Sequence, residues 1–284
     1  MTASVTDIAA ALNAGEVIPY LGPNALTLCP GVTVPATPEA LCEFMTAKVT
    51  VPHKIRKRLT QAAQFIENFK HRKTIAVLMN EAYAATPEPS ALHLALARSA
   101  APVVVDSWYD DALIEAFKRE RGAAADASWG QVQGLSQSEH FGTWTGAYDA
   151  TGAIAESISP AWKTLVYKPI GGHAPAGNYL VSDSDYVEVL TEIDIQTPIP
   201  TEVQTIRTGR SFLFIGCRFN DQLPRAFARQ IMKRSSDRHW AVLPEAPTRM
   251  EQRFMEEQNI TRIDMPLDAF AAELAGLIGE TAAA

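Results

Sequence analysis

Ser211-Phe212-Leu213-Phe214-Ile215-Gly216-Cys217-Arg218-Phe219-Asn220-Asp221 is the stretch on which the fold turns. Its four consecutive apolar residues, 212–215, show no in/out alternation. That fits a strand buried on both faces, the kind found in parallel sheets covered by helices. Gly216 ends the run, and Asp221 is placed to cap a helix over 221–234. The segment therefore reads as strand, turn, helix.

The same unit recurs in both directions. Towards the N-terminus, a short amphipathic helix over 1–16 ends near Gly15 and leads into a strand at 17–21. A helix then starts with Thr37 as N-cap and Pro38 at its first position, where a missing N–H costs nothing. One or two helices fill 54–83 and another spans 89–99. A strand at 102–106 is followed by a helix from 110 to about 119. Further strands are expected at 162–167, 239–243 and 260–265. Helices are expected at 186–192, behind an Asp183-Ser184-Asp185 cap, and at 197–207, 247–257 and 266–278, with 281–284 frayed. Residues 121–160 differ: they are rich in Gly, Ala and Ser, carry Trp129, Trp144 and Tyr148, and lack periodicity. They read as an irregular excursion off the sheet, a cap or loop over a pocket. The alternation predicts an α/β fold, a mostly parallel Rossmann-like sheet with helices on both faces. The expected organisation is a single domain over 1–284, with its core at 17–278.

Composition narrows the function. The chain has 284 residues, 47% hydrophobic and 20% charged, with a net charge of −7. Phosphate-backbone affinity needs clustered Lys and Arg, so general nucleic-acid binding is not expected. Nor is attachment to an anionic membrane surface. The three cysteines, Cys29, Cys42 and Cys217, have no C-x-x-C spacing, which disfavours a zinc ribbon or redox dithiol. No basic and apolar leader opens the chain, and no apolar run reaches membrane-spanning length. The expected setting is cytoplasmic.

Ligands of an open parallel sheet bind beyond the carboxyl ends of its strands. The turns that follow the strands are Gly22-Pro23-Asn24-Ala25, Ser107-Trp108-Tyr109-Asp110, Lys168-Pro169-Ile170-Gly171-Gly172-His173, Gly216 through Asp221, and Pro244-Glu245. Gly22 and Gly216 admit close approach of a diphosphate, a ribose or an adenine. Asn24 tolerates a tight turn. Pro23, by contrast, removes an amide that a phosphate cradle would use. The expected nucleotide contacts are Gly22, Pro23, Asn24, Trp108, Asp110, Gly171, Gly216, Cys217 and Asp221.

Seven short elements occur in a telling order. They are Pro19-Tyr20-Leu21-Gly22-Pro23-Asn24-Ala25, Ala63-Gln64-Phe65-Ile66, and His93-Leu94-Ala95-Leu96-Ala97. Then come Ser107-Trp108-Tyr109-Asp110 with Leu113 and Glu115, Lys168-Pro169-Ile170-Gly171, Ser182-Asp183-Ser184-Asp185-Tyr186, and Leu213-Phe214-Ile215-Gly216 with Asp221. In this order they resemble the sirtuin-like, NAD-handling domain of bacterial proteins, over roughly residues 17–278. The resemblance implies a nucleotide pocket for NAD or ADP-ribose. It also places the family's catalytic asparagine at Trp108 (at Tyr109 with a one-residue slip) and its histidine at Ile170. Neither substitute does that chemistry, and a lost base alone commonly costs about 10²–10⁴-fold.

Other residues are candidates for a replacement site. His173, beyond two glycines, is the candidate catalytic group; the alternative is an exposed loop histidine. His239 reads as structural. Asp183, Asp185 and Glu188 read as a helix cap with solvated acids rather than a metal site. Cys217 beside Arg218 reads either as an activated thiol or as a small buried cysteine. Arg225, Arg229 and Lys233 share one helix face, which is either solvated or docks an acidic protein partner. His53-Lys54-Ile55-Arg56-Lys57-Arg58 is a second basic cluster near a helix start, where positive charge is slightly unfavourable; it reads either as a solvated run or as a site for a partner or ligand. The leading expectation is a catalytically degenerate module that binds a nucleotide as a sensor or accessory protein. The alternatives are an active NAD-cleaving or ADP-ribosyl-handling enzyme, and an interaction protein with a closed pocket.

Overall fold

A computed structural model describes residues 4–192 and 198–282. Helix α1 (Val5–Asn13) leads into strand β1 (Val17–Leu21). Helices α2 (Pro38–Lys48), α3 (Leu59–Lys70), α4 (Arg72–Ala82) and α5 (Ala91–Arg98) precede β2 (Val103–Asp106). After α6 (Ala112–Arg121) come β3 (Trp129–Gly134), β4 (Thr145–Tyr148), β5 (Ile154–Ala155) and β6 (Thr164–Lys168). A small ribbon of β7 (Gly171–Gly172) and β8 (Asn178–Tyr179) is followed by α7 (Asp183–Glu192) and α8 (Thr201–Arg207). The last elements are β9 (Ser211–Ile215), α9 (Gln222–Ile231), β10 (His239–Val242), α10 (Arg249–Glu257), β11 (Ile260–Ile263) and α11 (Leu267–Ala282).

The main sheet has the order β11-β10-β9-β1-β2-β6-β3-β4-β5. Every pair from β11 to β3 is parallel, while β4 and β5 are antiparallel additions. From β1 the chain passes to β2, then to β3, β4 and β5 at the far edge, and inserts β6 between β2 and β3. It then returns to β9, on the other side of β1, and builds the opposite way. The order thus reverses between β1 and β9, which is where such sheets open a ligand crevice.

Both sheet faces are covered. In β9, Phe212 and Phe214 pack on the side of α2, α3, α4 and α9, while Leu213 and Ile215 pack on the side of α1, α5, α6 and α11. Two buried faces explain why 211–216 shows no alternation: each residue meets a helix layer whichever way it points. Several caps form as the sequence predicts. Thr37 accepts from the Ala40 amide at 3.1 Å, with Pro38 at the first position of α2, and Asp221 accepts from the Leu223 amide at 3.0 Å.

Three expectations need correction. Residues 121–160 are not wholly an excursion off the sheet. Strand β3 lies within it, beside β6, and β4 and β5 extend its edge. Strand β3 lacks a β-branched run because its neighbours fill the space. A Cβ at Gly130 would meet the Trp162 ring at 2.4 Å, and one at Gly134 the Pro169 carbonyl at 2.1 Å. Its buried glutamine Gln133 donates to the Ala174 carbonyl at 2.8 Å. Second, α7 begins at Asp183, not Tyr186, and Asp185 is no solvated acid. It is buried, accepts from the Val181 and Ser182 amides at 2.9 Å each, and pairs with Arg72 at 2.8 Å. Third, α11 does not end at Ile278 but runs through Ala282. Residues 283–284 and the expected helix start at Thr197 lie outside the described residues. Among those residues, no helix is long and apolar enough to cross a membrane.

His239 is a core residue. Its Nδ1 accepts from the Phe212 amide at 3.0 Å, so that nitrogen carries no proton, and burial pushes its pKa down to about 4. A histidine that stays neutral when folded but titrates near 6.5 when unfolded stabilises the fold above pH 6.5. That contribution is lost as pH falls towards 4. In His239→Asn the amide oxygen replaces the acceptor without titrating. Between pH 7 and 4, wild type is expected to lose about 1–3 kcal/mol more stability than this variant. Parallel slopes of urea midpoint against pH would rule this out.

Candidate functional site

The parallel strands deliver their turns to one edge, and a cleft of about 520 Å³ opens there. That size suits a small-molecule site. Turn residues Pro23 and Asn24 after β1, Trp108 after β2, Ile170 after β6, and Gly216, Cys217 and Asp221 after β9 all line it. These seven distant sequence positions are therefore brought together. Gly22, Asp110 and Gly171 do not line it.

Gly22 and Gly216 serve each other rather than open space. A Cβ on Gly22 would lie 2.6 Å from the Gly216 carbonyl oxygen, and one on Gly216 only 2.2 Å from the Ala25 nitrogen. The Asn24 amide donates to the Gly216 carbonyl at 3.0 Å, the Gly22 amide to Ile215 at 2.8 Å, and the Ala25 amide to Gly22 at 3.0 Å. With Pro23 lacking a donor, the 22–25 turn has spent its amides on protein, so it is not a phosphate cradle. Gly171, at φ 77°, lets the β7–β8 ribbon close, since a Cβ there would meet the Asn178 carbonyl at 2.1 Å.

Trp108 and Ile170 both line the cleft. The indole Nε1 donates to the Pro35 carbonyl at 2.9 Å, and its ring lies 4.9 Å from Tyr109 and edge-on to Tyr83. The ring is thus fixed, with little freedom to swing aside. His173 is not in the cleft lining. Its Nδ1 lies 2.9 Å from Asp111 Oδ2, its amide donates to the Tyr109 carbonyl, and the hydrogen bond that Asp111 accepts raises its pKa. No histidine among the described residues lines the cleft.

Behind Trp108 lies a buried ionic cluster. Lys168, fully buried at the end of β6, binds the Asp106 carboxylate and donates to the Asp110 carbonyl at 2.8 Å. Burial opposes its ammonium, but Asp106 and Asp110 outweigh that and hold its pKa above the ordinary lysine value. Burial and the Asp106 charge push Asp110 up to about 7. Asp110 also caps α6, accepting from the Ala112 amide at 2.9 Å.

Cys217 is buried and its thiol is pushed up by burial, while Arg218 is committed to Glu251; the activated-thiol reading fails. In the basic stripe, Arg225 donates to the Phe219 carbonyl, and Arg229 reaches Glu257 at 3.4 Å over the Phe254 ring. Lys233 is exposed. Sequence reading did not place Lys57, Arg58, Glu39 or the first turn of α3 in the cleft, yet all line it. The signal was there: α3 starts with positive charges before it, no acid in its first turn and no capping side chain.

No match was found among curated proteins. A family model for the SIR2-like domain matches residues 102–263. That span runs through the sheet from β2 to β11 and takes in the turns carrying Trp108, Ile170 and Gly216. With more than half of its length matched, the chain belongs to the SIR2-like domain family.

Proposed function

We propose that this chain is a nucleotide-binding module that takes NAD or ADP-ribose at the cleft between β1 and β9 without cleaving NAD, as a sensor or accessory protein. The observation that carries the reading is that Trp108 and Ile170 line one cleft, which no histidine among the described residues lines. These are the positions to which the family resemblance assigns the asparagine and histidine of NAD cleavage. The cleft also has an anion-friendly wall: Lys57 and Arg58 precede the uncapped first turn of α3, whose Leu59, Thr60 and Gln61 line it. Exposed amides and helix dipole at such a start favour a diphosphate. The acids Glu39 and Asp221, also in the lining, suit ribose hydroxyls.

An indole fills far more space than a carboxamide, so the nicotinamide end is the end that suffers. ADP-ribose is expected to bind at least as well as NAD, and purified protein to release no nicotinamide at an enzymic rate. At 100 times its dissociation constant a ligand adds about 2.7 kcal/mol of stability, read as a melting shift. Trp108→Ala is expected to improve NAD relative to ADP-ribose. Sustained nicotinamide release that disappears in His173→Ala would establish an active enzyme instead. No shift with either nucleotide at millimolar concentration, in wild type or Trp108→Ala, would mean a closed pocket. Arg225, Arg229 and Lys233 would then be the first residues to change in a test for a protein partner.

A further inference from the structure

Arg218 sits in the turn after β9 and lines the cleft. Its guanidinium is fixed from behind. Nε and Nη2 donate to the two Glu251 oxygens at 2.9 and 3.0 Å. Glu251 is fully buried and also accepts from the Phe219 amide at 3.1 Å and the Thr248 amide at 2.9 Å. One carboxylate thus ties the β9 turn to the start of α10 and orients the arginine. The opposite end is held differently. Nη1 pairs with Glu245, in the turn after β10, whose side chain is 74% exposed. An exposed ion pair is worth little, because water competes for both partners.

A guanidinium carries five N–H donors. Glu251 takes one from Nε and one from Nη2, and Glu245 takes one from Nη1. One hydrogen on each terminal nitrogen is left over. If Glu245 turns away into solvent, the end-on fork of Nη1 and Nη2 is free, in the geometry that binds phosphate through two parallel hydrogen bonds. The buried Glu251 keeps that fork aimed while the exposed partner is exchanged.

We propose that Arg218 is a phosphate-reading residue of this cleft and that Glu245 is its exchangeable counter-ion, holding the Nη1 arm of the fork until a ligand phosphate replaces it. This rests on the nucleotide-binding reading above and names the residue that recognises the anion. Two sources share the chemistry: the diphosphate of ADP-ribose and a phosphate monoester on the ribose, as in 2′-phospho-ADP-ribose.

The test is calorimetric titration of wild type, Glu245→Gln and Arg218→Gln with ADP-ribose, 2′-phospho-ADP-ribose and inorganic pyrophosphate. Glu245→Gln removes the competitor and is expected to tighten binding several-fold. Arg218→Gln is expected to weaken it at least tenfold. Arg218→Gln strands the buried Glu251 charge, so Arg218→Gln/Glu251→Gln serves as a neutral background should the single variant fail to fold. A gain confined to 2′-phospho-ADP-ribose assigns the fork to the monoester. An equal gain for both nucleotides assigns it to the diphosphate. Nucleotide binding that stays within twofold in every variant overturns the role of Arg218 while leaving the nucleotide reading intact. Arg218-dependent binding of pyrophosphate without nucleotide binding keeps the anion site and overturns that reading. No binding of any of the three ligands overturns both.

Discussion

Lys168→Met is expected to destabilise the protein by roughly 3–5 kcal/mol at pH 8, the usual cost of removing one member of a buried ion pair. The ammonium is enclosed, and Asp106, Asp110 and Asp111 are all buried around it. Lys168 is the only one of these four that is positive. Without it, Asp106 must hold a charge out of water or take a proton. Burial already raises the Asp106 pKa against the pull of Lys168, so loss of the lysine drives it higher. A carboxylate whose folded pKa lies above its unfolded value destabilises more as pH rises between the two. The deficit of Lys168→Met should therefore shrink as pH falls from 8 to 5 and Asp106 takes up a proton more readily in the variant. Lys168→Met/Asp106→Asn should recover most of the loss, since neither partner then carries charge. Urea denaturation of the three proteins at both pH values measures this. A single-variant loss below 1 kcal/mol at pH 8, or one that does not vary with pH, would show that water reaches the cluster. Because the cluster lies directly behind the Trp108 turn, it also fixes the β2 and β6 ends that form the cleft wall.

How much of this was legible follows from what each residue faces. The strand 211–215 was clear because both its faces meet helices, so no polar position interrupts the pattern. The caps Thr37 and Asp221 were clear because capping is local, decided within three residues. Strand β3 was hidden because its small positions answer to Trp162 and Pro169, partners more than thirty residues away in sequence. Asp185 was misread for the same reason: its distant partners Arg72 and Ser136 make a buried anchor of what looks locally like a solvated cap. The edge that carries the cleft followed from topology alone, since parallel strands must deliver their turns to one side. Pairings within it did not, because Arg218 with Glu251 and Lys168 with Asp106 depend on which strands are neighbours. The basic run before α3 marks the middle ground. It conflicted with the helix dipole, and that local conflict pointed to a role which only the tertiary arrangement located.

Gly216→Ala is expected to cost about 2–5 kcal/mol, and the reason separates two uses of a glycine that sequence alone cannot distinguish. At φ 69° an alanine is strained by about 1–2 kcal/mol whatever surrounds it. Its Cβ would also press on the Ala25 nitrogen at 2.2 Å and the Asn24 carbonyl carbon at 2.8 Å. These are backbone atoms of the β1 turn, so relief requires two strand ends to move apart, an overpacking cost of about 1–3 kcal/mol. Two other glycines isolate the terms. Gly209 has φ 73° with nothing within 4 Å of an added Cβ, so Gly209→Ala should show the strain alone. Gly22 has an ordinary φ of −101°, but a Cβ there would overlap the Gly216 carbonyl oxygen at 2.6 Å, so Gly22→Ala should show the crowding alone. Measured by urea denaturation, the loss at Gly216 should exceed either control and approach their sum. If Gly216→Ala costs no more than Gly209→Ala, the two turns can separate without penalty. The β1–β9 edge would then be loose enough to admit a ligand between its glycines, as the sequence first suggested. If the large loss is found, that edge is a closed protein contact, and any nucleotide must lie across the two turns rather than between them.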